Sequence, residues 1–87
     1  MKGYKGRATV FFNIMKIVGE YCRTIRNKRM LTLEALALIS KKPVTTLSSF
    51  ERGYSTSVKL LNIYIKLMNN DELHTLIELM DKMWFWG

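Results

Sequence analysis

The chain has 87 residues, enough for one small domain with a modest core and too few for two. No apolar run reaches the roughly 18 residues that suggest a membrane span, and a single cysteine, Cys22, excludes an internal disulfide and a cysteine-based metal cluster. Fourteen Lys and Arg against seven Asp and Glu leave a net charge of +7, which suits a polyanion such as nucleic acid or an anionic membrane surface; a solvated basic face without a partner is the plain alternative.

The charge is uneven. Lys2, Lys5, Arg7, Lys16, Arg23, Arg26, Lys28 and Arg29 face Glu20 alone in residues 1–30, whereas residues 31–87 hold six charges of each sign. The opening "MKGYKGRATVFFNIMK" is basic and partly apolar. Asn13 and Lys16 interrupt it and a small-residue cleavage site is missing, so it reads as a basic N-terminal arm (1–12) and not as a secretory signal. A membrane-surface role for it would need a cleaner amphipathic face. The expected compartment is the cytoplasm.

From Phe12 to about Lys28, Ile14, Val18, Cys22 and Ile25 recur at helical spacing, widened by Ile17 and Tyr21. Cys22 falls inside that stripe and reads as a buried, inert thiol rather than a reactive one. Thr32 is a natural N-cap for a second helix whose inward face is Leu36 and Ala37. This helix should end near Ser40, because Pro43 cannot sit within a helix without losing a hydrogen bond and clashing. Pro43 costs little at a first helical position, so a third helix begins at Pro43 or Val44; Leu47 and Phe50 face one way, and Gly53 terminates it. "YSTS" offers the next cap, followed by a fourth stripe of Leu60, Leu61, Tyr64, Leu67 and Met68. Asn69 or Asn70 caps a fifth helix, with Asp71 and Glu72 at its positive end and Leu73, Leu76, Ile77 and Met80 continuing the spacing. Period-two alternation and internal repeats are missing. The expected fold is all-α, a bundle of about five helices in one domain spanning 1–87, with a C-terminal helix over 70–86.

Residues 18–53, "VGEYCRTIRNKRMLTLEALALISKKPVTTLSSFERG", resemble the lambda-repressor/Cro-type helix-turn-helix family without a gap. The resemblance rests on "VGEYCRTIR" in the first helix, "LT" before the second, "EALA" within it and "SSFERG" closing the third. It places the helix-turn-helix at 32–51 and implies that the third helix enters the DNA major groove, the second crosses the backbone, and a dimer reads a two-fold operator. Residue by residue, it implies an ion pair between Arg26 and Glu51, joined by two parallel hydrogen bonds that clamp the first helix to the third. It implies contacts to double-stranded DNA from Thr32, Lys41, Lys42, Val44, Thr45, Thr46, Ser48, Ser49 and Arg52.

The sequence departs from the family in three places. Val44, Thr45, Thr46, Ser48 and Ser49 include no Arg, Asn or Gln, the side chains that make bidentate base contacts, so direct readout is expected to be weak. Leu33 stands where many members carry a DNA-contacting glutamine. Lys41 and Lys42 replace the usual Gly and small apolar residue of the turn. Leu33 and Leu38 are expected to project from faces that are usually polar. Such a patch would favour the alternative function, a helix-turn-helix protein-interaction module such as an antitoxin or phage-type modulator whose partner is a toxin or a regulator. "DKMWFWG" closes the chain with aromatics that either tuck Trp84 against the first helix or pack Met80, Trp84, Phe85 and Trp86 across a homodimer axis. The homodimer is the expected arrangement, since one core cannot readily bury three consecutive helical residues. An enzyme finds no support: His74 is the only histidine, and no carboxylate pair, phosphate loop or nucleophile–base pattern stands out. No metal or cofactor is expected. The function expected is that of a DNA-binding transcriptional regulator, a repressor.

Overall fold

A computed structural model describes the backbone of residues 2–86 and the side chains of residues 14–81. It contains five helices, α1 Lys2–Lys28, α2 Leu33–Ser40, α3 Val44–Glu51, α4 Val58–Ile65 and α5 Asn70–Trp86, and no strand among the described residues. The helix α1 packs on α3, α4 and α5, and α2 packs on α3. The core is continuous: Ile14, Val18 and Cys22 of α1 meet Leu36, Leu47, Phe50, Leu60, Tyr64 and Leu76, all buried. Phe50 and Tyr64 stack at its centre with ring centroids 5.3 Å apart. Burial pushes the Cys22 thiol up to about 12, with Glu51 adding to the shift, so it stays protonated at neutral pH.

Two boundaries differ from the expectation. The segment 1–12, expected to be an arm preceding the helix, instead belongs to α1 from Lys2 onward. Gly3 and Gly6 weigh against helix by roughly 1 kcal/mol each, but in the sequence Val10 and Phe11 continue the three-four spacing of Ile14 and Val18. The fourth helix ends at Ile65, so Leu67 and Met68 lie in a turn, their N–H groups donating to the Tyr64 and Ile65 carbonyls.

The caps fix where each helix stops. Thr32 Oγ1 accepts from the Ala35 N–H at 3.0 Å, and Ser57 Oγ accepts from the Leu60 N–H at 3.3 Å. Asn69 and Glu72 form a reciprocal capping box: Asn69 Oδ1 accepts from the Glu72 N–H at 2.8 Å and Glu72 Oε1 accepts from the Asn69 N–H at 2.9 Å. At the end of α3 the Gly53 and Tyr54 N–H groups return to the Phe50 and Ser49 carbonyls, a closure that needs the left-handed backbone at Gly53 (φ +86°). Pro43 occupies the N-cap of α3 rather than its first helical position; its extended ψ of 146° makes the corner after α2.

The corner carries a cost. Lys41, the C-cap of α2, adopts φ 59° and ψ 36°, a left-handed conformation natural to glycine and unfavourable for a residue with a Cβ. The Lys41→Gly variant should therefore be more stable by about 1 kcal/mol, raising the melting temperature by about 4–8 °C. A thermal melt that is unchanged or lowered would show that the lysine stem compensates for the strain.

Candidate nucleic-acid interface

The helix α3 presents two unlike faces. Leu47, Phe50 and Glu51 point into the domain and are buried. At 100° per residue, Thr45 and Ser49 fall on the opposite side and Ser48 on its flank; Thr45 is exposed and the two serines are half-buried. Val44 and Thr46 are also half-buried, flanking that side. Lys41, Lys42 and Thr32 are exposed, the lysines in the turn that leads into α3 and Thr32 at the start of α2. At the other end Arg52 is exposed, and its guanidinium carbon stands 5.3 Å from the centre of the Tyr54 ring. The outer side of α3 thus carries hydroxyls and methyls between two cationic ends, while α2 exposes Glu34, Leu38 and Ile39. The solvent-facing positions of α3 carry no carboxylate, because its one acidic residue, Glu51, is turned inward.

What turns Glu51 inward is a buried network. Arg26 Nε donates to Glu51 Oε2 at 2.7 Å and Arg26 Nη2 to Oε1 at 3.0 Å, a bidentate pair between α1 and α3. Arg26 Nη1 also donates to the Leu31 carbonyl at 2.7 Å, tying the pair to the turn before α2. From α4, the Tyr64 hydroxyl donates to Glu51 Oε2 at 2.6 Å. Arg26 and Glu51 are only 7% and 5% exposed, so the charges are compensated by each other and not by water. The bond to Glu51 holds the Arg26 guanidinium above its ordinary range, and burial first, then donation to Glu51, keeps the Tyr64 phenol protonated far above its own. One carboxylate joins three helices.

A second charged knot holds α5. Glu72 is buried, receives Arg29 Nη2 on Oε1 and has Lys28 Nζ 3.1 Å from Oε2. Arg29 Nε donates to the Leu67 carbonyl and the Tyr21 hydroxyl to the Glu72 carbonyl, both at 2.9 Å. The Asn69 N–H first, with Lys28 and Arg29, holds the Glu72 carboxyl below the usual carboxylate range against the opposing effect of burial. This knot was missed in the sequence, although "NNDE" is a capping-box pattern that marks Glu72 as turned back toward its own N-cap.

Leu33, expected to project, instead packs half-buried against the core from the first turn of α2. Leu38 does project, 81% exposed, and Ile39 beside it is 68% exposed. Met80 is 37% exposed and shares a face of α5 with Ile77. The side chains of Trp84, Phe85 and Trp86 lie outside the described residues. Among the described residues no group of three His, Cys, Asp or Glu could hold a metal ion, and no helix is long and apolar enough to cross a membrane.

A short helix and its capped partner, set at a proline corner within an all-α bundle, define a helix-turn-helix domain. The helix-turn-helix family model matches residues 23–72, which take in α2, α3 and α4 with the end of α1 and the start of α5. The chain belongs to this family, the XRE type of lambda repressor and Cro, whose members bind DNA. Searches of curated proteins and of solved structures give no significant match.

Proposed function

We propose that this chain is a cytoplasmic transcriptional repressor that binds double-stranded DNA as a homodimer, with α3 in the major groove, and that it has no catalytic role and needs no cofactor. The observation that carries the reading is the outer side of α3, free of carboxylate and set between Lys41, Lys42 and Arg52. Thr32, Val44, Thr45, Thr46, Ser48 and Ser49 complete the contact surface. Hydroxyls bond to phosphate or base, and the Val44 and threonine methyls suit a thymine methyl. Without a bidentate base reader, affinity leans on phosphate charge and specificity on DNA shape. The face of α5 bearing Ile77 and Met80, both exposed, supports a two-fold contact there.

Binding to the DNA upstream of its own gene and to random DNA, measured at several salt concentrations, tests this. Log K should fall steeply with log salt. Lys41→Ala with Lys42→Ala should weaken both DNAs alike and flatten the slope by about 2. Absence of binding at low salt would favour the second reading, a protein-interaction module, for which the exposed Leu38 and Ile39 speak.

A further inference from the structure

The helix α1 passes close beneath the C-terminal end of α3. A Cβ placed on Gly19 would lie 2.5 Å from the Glu51 carbonyl oxygen, and one on Gly53 would lie 2.7 Å from Lys16 Cα. One turn further along α1 a groove of about 190 Å³ opens, lined by Arg23, Arg26, Leu33, Ser48, Glu51 and Arg52. That is smaller than the roughly 300 Å³ at which pockets for drug-sized ligands begin, and it suits a single small anionic group.

Its charge is unbalanced. Arg26 and Glu51 cancel, with Glu51 Oε1 occupied by Arg26 and Oε2 by Arg26 and Tyr64. Arg23 and Arg52 remain, both exposed, and neither pairs with a carboxylate among the described residues; Glu34 of α2 acts on Arg26 through space but forms no ion pair with either. Glu20 lies three positions before Arg23 on the same helix, a spacing worth only about 0.2–0.5 kcal/mol, and makes no ion pair there. Tyr54 holds the Arg52 guanidinium by a cation–π contact, which limits the freedom Arg52 would lose on binding.

We propose that Arg23 and Arg52 grip one backbone phosphate of the bound DNA at this groove, making α1 a DNA-contacting element outside the helix-turn-helix. The inference rests on the DNA-binding reading above. The recognition helix addresses bases from its N-terminal residues, and the groove lies at its far end, about 12 Å along the axis, where backbone contacts fall. A guanidinium fork matches the two non-bridging oxygens of a backbone phosphate, so Arg23 and Arg52 can share them from either side, and Ser48 lines the same groove. A contact of this kind adds affinity on every sequence alike.

The test is fluorescence anisotropy of the full chain on a labelled operator duplex and on a random duplex across a salt series. Arg23→Gln, checked by thermal melting to be folded, should weaken both complexes by the same factor and flatten the log K against log salt slope by about 1. Arg23→Lys, which keeps a point charge, should hold the wild-type slope. An unchanged slope in Arg23→Gln, or a loss confined to the operator, with the wild type still binding, would overturn this inference and leave the DNA-binding reading standing. A wild-type chain that binds neither duplex would overturn both.

Discussion

Replacing Arg26 with methionine will cost the domain about 3–5 kcal/mol, because it removes one half of a buried ion pair and strands the other. Methionine fills much of the same space, so the loss is electrostatic rather than a cavity. Glu51, 5% exposed, would keep one protein donor, the Tyr64 hydroxyl, and would lose both bonds from the guanidinium. A chain of this size has a total stability of roughly 4–13 kcal/mol, so the variant should be largely unfolded or melt at least about 12 °C lower. Its denaturant midpoint should fall by a matching amount. The second arm of the experiment removes the stranded charge: adding Glu51→Met and Tyr64→Phe to Arg26→Met should recover most of the loss, since a buried pair replaced whole by apolar groups is close to neutral. A melting temperature unchanged in Arg26→Met alone would mean that the carboxylate is already solvated and that the three helices are joined by packing only.

The class and the family were legible in the sequence because they depend on local features: apolar spacing in α1, Thr32 and Pro43 at the corner, Gly53 after Phe50. What local pattern could not show is how distant groups meet. Arg26 and Glu51 lie 25 residues apart, and in the sequence only the family resemblance links them. Tyr64 read as one more member of an apolar stripe; its ring does stack in the core, yet its hydroxyl reaches back 13 residues to the same carboxylate. Glu72 reads as a charge placed for the helix dipole, and its larger role is to gather Lys28, the last residue of α1, and Arg29 in the turn after it. Leu33 read as exposed because the family is polar there, but a leucine at that point can fold down onto the core, and it does. Arg23 looked like one basic residue among eight until the crossing of α1 and α3 put it beside Arg52. Among the sites, the exposures of the residues on α3 follow from helical period; the cationic groove does not, because it is made by tertiary contact.

Gly19→Ala is expected to destabilise the domain by about 2–3 kcal/mol, against the direction that helix propensity alone gives. Within a helix, alanine is better than glycine by about 1 kcal/mol, so at an exposed position this substitution would raise stability. Gly19 is buried where α1 crosses the end of α3, and a Cβ there would meet the Glu51 carbonyl oxygen at 2.5 Å, the Phe50 carbonyl oxygen at 2.6 Å and the Glu51 carbonyl carbon at 2.8 Å. All three are backbone atoms, so no side chain can swing away and the helices themselves must separate. Overpacking typically costs roughly 1–3 kcal/mol and occasionally more; three backbone atoms inside 3.0 Å put this site at or above the top of that range, about 3–4 kcal/mol, so about 2–3 kcal/mol remains after the propensity gain. The separation would also act on the clamp, because the 2.7 Å and 3.0 Å bonds from Arg26 reach the residue that the new methyl pushes. The cost of Gly19→Ala should accordingly shrink in the Arg26→Met, Glu51→Met, Tyr64→Phe background, where no clamp remains to be stretched, giving a coupling beyond the few tenths of a kcal/mol expected for independent sites. A melt of Gly19→Ala should fall by about 10–20 °C. If it rose instead, α1 and α3 would have room to spare at this crossing, and the close approach that sets Arg23 beside Arg52 would lose its support.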